Sequence, residues 1–204
     1  MIKEFLEDLL RQEAPGPGIS FTVFDLIRVL ERIAEEEPIC RGRLARELGI
    51  GDGAIRTLIR RLRRSGLIST SKAGCSLTEE GKNIWKRIHK IIPYKIRLGK
   101  SELSLGEFNI AILVRGMGFK VKNGLEQRDA AVSAGAKGAV TLIFKRGRFI
   151  LPPISDDADR DFPDITRQIS RLMELRDGDV IIIGGADNPR SAEYGALAAA
   201  WTLL

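Results

Sequence analysis

Residues 54–64 constrain the fold of this chain more than any other segment. Their apolar side chains Ile55, Leu58, Ile59 and Leu62 recur at the spacing of one face of an α-helix. The opposite face is small or basic, with Gly53, Thr57, Arg60 and Arg64 at its centre and Arg56 and Arg61 at its edges. The segment therefore predicts an amphipathic helix that packs on a core through one face and presents arginines to solvent through the other.

A glycine-bearing turn joins this helix to a shorter one predicted over residues 39–48. Gly49 stands where the end of a helix favours a positive φ. Asp52 stands where a carboxylate can cap the free amides of the next helix. Two short helices around such a turn are typical of a helix-turn-helix.

The flanking residues predict two earlier helices, a hairpin and a later helix. Residues 1–13 form a short amphipathic pattern, and a helix capped by Ser20 or Thr22 should extend to about residue 36. After Gly66, residues 67–70 and 75–78 read as two strands around a turn that carries Lys72 near its tip. A helix over residues 79–92 completes the unit.

The positive charge of the chain lies in one block. Residues 39–100 hold 16 basic and 4 acidic side chains, whereas residues 1–38 hold 4 basic and 9 acidic ones. Residues 101–204 hold 13 and 14, close to neutral. A localised basic block indicates a polyanionic partner, so the helix-turn-helix and hairpin predict binding to nucleic acid.

The first half resembles winged-helix transcription regulators of the multiple-antibiotic-resistance and arsenic-repressor type. The resemblance lies in LARELGI at 44–50, IRTLIRRL at 55–62, SGLI at 65–68 and LTEEGK at 77–82, and it covers roughly residues 20–92. The whole chain also resembles an archaeal family of predicted regulators, in which this domain precedes a small α/β domain of unknown role. The resemblance implies that double-stranded DNA is the partner.

In this interpretation the arginine face of the third helix enters the major groove, where guanidinium groups bond guanine edges. Side chains beside it contact phosphates and fix the register on the duplex. The expected phosphate contacts are Arg41, Arg43 and Lys72, and the expected groove-facing residues are Gly53, Arg56, Thr57, Arg60, Arg61 and Arg64.

The second half predicts a separate domain, which makes the chain an α+β two-domain protein. The winged helix-turn-helix covers residues 1–93, a polar connector 94–106, and an α/β domain with one mixed sheet 107–204. Strands are expected at 107–114, 119–122, 139–144, 149–151 and 179–183, and helices at 125–134, 162–175 and 188–203. The continuous apolar run at 179–183 predicts a central strand covered on both faces.

Two places in the second half could bind an anionic ligand. The strand-to-helix turn at 184–190 could present free amides to an anion, and the alternative is a well-capped turn. The second place combines an arginine with a carboxylate, and the alternative there is a simple ion pair. The candidate ligand residues are Arg128, Asp129, Gly184, Gly185, Asp187, Asn188 and Arg190.

Several kinds of site are not expected. Cys40 and Cys75 are far apart in sequence and His89 is the single histidine, so no standard zinc site or catalytic triad can be assembled. The acidic run at 156–161 lacks the spacing of an EF-hand and predicts a solvated loop. No catalytic residue, metal or cofactor is therefore predicted, and the chain is expected not to be an enzyme.

Composition and the N-terminal residues bear on the growth temperature of the source organism and on the cellular location of the protein. Arginine outnumbers lysine 22 to 11, and asparagine plus glutamine total seven, a pattern compatible with a thermophile or with the base composition of a genome. The sequence shows no membrane-spanning run and no export signal, so a cytoplasmic location is expected.

The sequence thus favours a homodimeric, sequence-specific transcription regulator whose second domain senses a small-molecule effector, forms the dimer, or both. The apolar segments at 6–10 and 196–204 are candidate dimer surfaces. One alternative is an enzyme with an accessory winged helix that acts on a phosphorylated or anionic small molecule. Another is a winged helix that binds only proteins.

Overall fold

The computed structural model describes residues 2–11 and 21–204. The chain divides into two compact units, Met1–Ile88 and His89–Leu204. Within the described residues, no helix combines the length and the apolar character needed to cross a lipid bilayer. The two-domain α+β layout predicted from the sequence is confirmed.

The first unit follows the predicted element order. Its elements are α1 Ile2–Asp8, α2 Val23–Glu35, α3 Arg41–Leu48, α4 Asp52–Arg64, β1 Ile68–Thr70, β2 Cys75–Leu77 and the greater part of α5 Glu79–Ile91. Residues 12 and 13 of the first predicted helix, and the alternative cap Ser20, lie outside the described residues.

Helix α2 begins at a capping box. The Thr22 hydroxyl accepts a hydrogen bond from the Asp25 amide at 3.3 Å, and the Thr22 amide donates to the Asp25 carboxylate at 2.8 Å. This reciprocal pair satisfies two amides that a helix start leaves without partners. It fixes the start of the helix that carries Leu26, Leu30 and Ile33 into the core.

The apolar stripe of α4 lies at the centre of the first unit. Ile55, Leu58 and Leu62 have no exposed surface, and Leu44 from α3 and Leu67 before β1 are equally buried. Truncation of such a leucine to alanine costs about 2–5 kcal/mol. The arginine face of α4 is therefore turned outward by the packing of the opposite face.

The hairpin formed by β1 and β2 is tied to the start of α3. Cys75 pairs with Ile39, since each residue's amide donates to the other's carbonyl at 2.8 Å and 3.0 Å. Gly74, at φ +143°, has no room for a side chain, because a Cβ there would lie 2.6 Å from the Ile39 carbonyl. The predicted wing is thus present and is anchored to the helix-turn-helix.

The second unit is built around a five-stranded sheet in the order β3-β4-β7-β5-β6. Its strands are β3 Tyr94–Leu98, β4 Phe108–Val114, β5 Gly138–Lys145, β6 Arg148–Ile150 and β7 Val180–Ala186, and its helices are α6 Leu125–Ser133, α7 Ala158–Asp161, α8 Pro163–Leu172 and α9 Pro189–Trp201. Every neighbouring pair is antiparallel. The sheet is therefore antiparallel throughout, which corrects the predicted mixed sheet.

Two predicted segments differ from the structure. Residues 94–98, expected in a connector, form β3, because Tyr94, Ile96 and Leu98 alternate onto the core of the sheet. Residues 119–122, expected to be a strand, instead overlap the short 3-10 turn Gly118–Lys120, and Phe119 is 81% exposed. Alternation alone does not make a strand where no partner strand is adjacent.

Strand β7 is the central, doubly covered strand that its apolar run predicts. Ile181 and Ile183 lie in a cluster with Ile165 and Ile169 of α8. On the other face α9 packs so closely that a Cβ at Gly184 would lie 2.6 Å from its backbone atoms.

The apolar ends proposed as dimer surfaces are used within the chain. Ile2 and Leu6 of α1, and Ala196 and Ala199 of α9, are buried inside their own units. The apolar character of Leu6 and of α9 is explained by this internal packing, whereas Leu9 and Leu10 are partly exposed.

A buried carboxylate organises one end of the sheet. Asp179 is fully buried, accepts hydrogen bonds from the amides of Gly116 at 3.0 Å and Arg176 at 2.8 Å, and forms an ion pair with Arg115. These contacts join the turns that precede β7 and follow β4. Removal of Asp179 would leave two amides without their acceptor and the Arg115 guanidinium with the Glu174 carbonyl in place of a charged partner.

Asp179→Ala should lower the free energy of unfolding by about 3–5 kcal/mol, since removal of one partner of a buried pair exposes the full desolvation cost of the other. Urea denaturation measures the change. Arg148→Ala, at an exposed position in the same unit, serves as the control and should change it by less than about 0.5 kcal/mol. Equal effects of the two variants would contradict the role assigned to Asp179.

Candidate nucleic-acid interface

The outward face of α4 is strongly basic. Gly53, Arg56, Arg60 and Arg64 are exposed, as the sequence predicts for a groove-facing surface. Thr57 is half-buried, and its hydroxyl donates to the Gly53 carbonyl at 3.0 Å. The Thr57 hydroxyl is thus turned back onto its own helix and is less available for contact than its position on the helical wheel suggests.

Arg63 is a further exposed cation of α4 that sequence reasoning did not select. On the helical wheel it lies next to Arg56, between the buried stripe and the outward face. The spacing of 100° per residue would have allowed Arg63 to be included in the basic face. The prediction omitted it because it considered only the residues directly opposite the apolar stripe and those flanking them.

Asp52 does not cap α4, contrary to prediction. The cap residue is Gly51, which makes no side-chain hydrogen bond, and Asp52 is the first residue of the helix. Its carboxylate accepts a hydrogen bond from Arg56 Nη2 at 3.0 Å and lies 3.5 Å from Arg41 Nε. Asp52 therefore joins α4 to α3 through Arg41, and it pairs with Arg56 one turn along its own helix.

Arg61 has an internal role that differs from the predicted one. Its Nη1 donates to the carbonyls of Leu9 at 3.1 Å and Leu10 at 2.7 Å, just after α1. Its guanidinium also lies 5.5 Å from the centre of the Phe21 ring. Arg61 ties the N-terminal helix to the side of α4, and we remove it from the set of candidate DNA contacts.

Arg43 is already paired with carboxylates. Its guanidinium contacts Glu47 and Glu36, and these hydrogen bonds raise the pKa of Arg43. The same Glu47 also contacts Arg32 at 2.7 Å, and the hydrogen bonds from Arg43 and Arg32 lower the pKa of Glu47. A phosphate would have to compete with this network, so Arg43 is a weaker candidate than Arg41 or Lys72.

A groove of about 280 Å³ separates α4 from the wing. Arg41 and Lys72 supply positive charge to its lining, and Thr70 and Ser71 supply hydroxyl groups. The remaining lining residues are Cys40, Ile59, Gly74 and Cys75. Cationic and hydroxyl groups around a groove of this size suit phosphate oxygens.

The two cysteines meet in this groove although the sequence separates them. Both are free thiols, Cys40 exposed and Cys75 buried, and burial raises the pKa of the Cys75 thiol. Residues far apart in sequence thus lie close together, because the pairing of Ile39 with Cys75 brings the start of α3 and the wing together.

The candidate ligand residues of the second unit are mostly engaged. Gly184 and Gly185 lie within β7 and pair with its neighbours, so they are not part of an open turn. The side chain of Asn188 caps α9 by accepting from the Ser191 amide at 2.8 Å. Asp187 pairs with Lys137, and the Arg190 guanidinium lies 5.0 Å from the centre of the Tyr194 ring. This geometry favours the well-capped turn over an anion site.

Arg128 and Asp129 form an exposed ion pair with each other on α6, at 2.9 Å. In the acidic run, Asp159 accepts from the Phe149 amide and Asp161 from the Ser155 hydroxyl. Within residues 2–11 and 21–204, no cluster of three or more His, Cys, Asp or Glu side chains could hold a metal ion.

Arg61→Ala should lower the free energy of unfolding by about 1–2 kcal/mol, because it removes charge-assisted hydrogen bonds and a cation–π contact. DNA affinity should change little. Arg63→Ala is the matched control, since this exposed arginine on the same helix should leave stability nearly unchanged. The assigned role is contradicted if chemical denaturation shows no difference between the two variants.

Comparisons with known proteins agree with this architecture. Residues 26–92 match the family model described as the CggR N-terminal DNA binding domain, and residues 105–203 match the model described as Domain of unknown function (DUF4443). The solved structure of a hypothetical protein from Pyrococcus horikoshii OT3 is similar, with 27% identity, a TM-score of 0.72, and coverage of 90% of this chain and 93% of that one. No curated protein matches the chain. The comparisons confirm the predicted resemblance to winged helix-turn-helix regulators of an archaeal type that carry a C-terminal domain of unknown role.

Proposed function

We propose that the chain is a transcription regulator that binds specific sites on double-stranded DNA through α4 and the wing. The observation that carries the proposal is the exposed arginine face of α4 opposite a stripe in which Ile55, Leu58 and Leu62 are fully buried. The match of residues 26–92 to a DNA-binding domain supports DNA as the partner.

The dimensions and charges fit the major groove. An α-helix with its side chains is about 10–12 Å across, and the major groove is about 12 Å wide. Arg60 and Arg64 would face base edges, where a guanidinium can bond O6 and N7 of guanine. Arg41 and Lys72, on the groove between α4 and the wing, would hold the adjacent phosphates.

We propose that the second unit serves in dimerisation, in effector sensing, or in both. Two-fold dimers match DNA half-sites one helical turn apart. Three exposed apolar side chains are Phe119 of the 3-10 turn, at 81%, and Leu125 and Val132 of α6, at 47% and 50%. They offer a candidate contact in place of the buried faces of α1 and α9. The enzyme alternative loses its main support, because Gly184 and Gly185 lie in β7.

Arg60→Ala combined with Arg64→Ala should weaken binding to a preferred site by about 2–6 kcal/mol, given about 1–3 kcal/mol for each base-reading arginine. Binding by the unmodified chain should fall steeply between 50 and 200 mM salt, as phosphate contacts require. Titration of labelled duplex, with the site taken from selection on a random pool, measures both.

Arg148→Ala combined with Arg171→Ala, at two exposed positions of the second unit, is the charge-matched control and should bind as the unmodified chain does. Unchanged affinity in the double variant would show that α4 is not the reading element. Absence of binding to any duplex at low salt would contradict DNA binding itself and favour a protein-binding winged helix.

A further inference from the structure

Asp52 is an unusual residue for the place that it occupies. It is the single acidic residue among the 13 of α4, and its side chain is 60% exposed at the end where recognition helices approach base edges. A carboxylate there repels phosphate and lowers affinity for DNA of any sequence. Its place in the first turn suits the helix dipole, but its carboxylate is directed to two arginines.

The contacts of Asp52 connect it with two candidate DNA-binding arginines. Oδ2 accepts from Arg56 Nη2 at 3.0 Å, one helical turn along α4, and Oδ1 lies 3.5 Å from Arg41 Nε. Arg56 is 63% exposed, and its side chain makes no other hydrogen bond recorded within the described residues. One edge of the guanidinium is therefore held while its other donors face solvent.

We infer that Asp52 is a specificity-determining positioning residue, which orients Arg56 to read a guanine and keeps both arginines from binding phosphate indiscriminately. The inference rests on the proposed function of α4 as the reading helix. It concerns how that helix discriminates among sequences.

Two physical effects act together. A free arginine side chain samples many rotamers, and part of this rotamer entropy is lost on each productive contact. The hydrogen bond to Asp52 restricts the Arg56 side chain before DNA binds. The guanidinium donors are therefore already oriented, and less rotamer entropy is lost when they bond a matching guanine. The charge of Asp52 lowers the affinity for non-specific DNA. Specificity is the difference between the affinities for a matching site and for other DNA, and both effects enlarge that difference.

The test compares Asp52→Ala with the unmodified chain on a selected duplex, on variants of it with single base-pair changes, and on random duplex. Binding to random duplex should become tighter, by up to about tenfold at low salt, because a charge that repels phosphate is removed. Discrimination at one base pair should fall by about tenfold, within the range of a bidentate arginine–guanine contact. A folding defect would instead weaken binding to all three.

Three further variants separate the two effects. Arg56→Ala should lose discrimination at the same base pair, and Asp52→Ala added to Arg56→Ala should reduce it no further. Asp52→Asn keeps an oxygen that accepts from Arg56 but removes the charge. It should retain more of the base preference than Asp52→Ala does. Its affinity for random duplex should equal that of Asp52→Ala.

The inference is overturned if Asp52→Ala keeps the full base preference, or if the lost preference maps to a base pair that Arg56→Ala does not affect. Either result would leave the proposed function standing, provided that the unmodified chain binds DNA and Arg60→Ala weakens it. Failure of the unmodified chain to bind duplex would overturn both.

Discussion

Burial of Ile55, Leu58 and Leu62 is the constraint on which the candidate interface depends. These side chains have no exposed surface, so α4 can adopt only one rotation about its axis. That rotation directs Arg60 and Arg64 outward. The pairing of Ile39 with Cys75 then places the wing beside the start of α3. The orientation of the basic face of α4 and the position of the wing beside it therefore follow from the packing of a few apolar residues.

The second unit obeys a different constraint, since its central strand is covered on both faces. Gly184 permits the close approach of α9, and Asp179 satisfies the amides of the turns around it. The same packing explains why the apolar C-terminal helix is not a free surface. The apolar side chains that this unit leaves exposed include Phe119, Leu125 and Val132.

Local patterns predicted the first unit well, because its signals are short-range. The stripe of α4, the left-handed Gly49 and the Thr22 cap are each readable within a few residues. Side-chain partners distant in sequence were not readable. Arg61 reaches carbonyls more than 50 residues away, and Asp52 turns from the helix amides toward Arg41 and Arg56. In the second unit, β3 was missed and residues 119–122 were misassigned, because strand pairing is decided by distant partners.

The most direct test of the account is an NMR titration with a selected duplex of a chain that is isotopically labelled at its arginines. The measured quantity is the change in chemical shift of the Nε–Hε signal of each guanidinium. The account predicts large shifts for Arg56, Arg60 and Arg64, and little change for Arg61, whose guanidinium is held by the Leu9 and Leu10 carbonyls. Large shifts of Arg61 with unchanged Arg60 and Arg64 would contradict the assignment of α4 as the reading helix. Shifts confined to arginines of the second unit would contradict it equally.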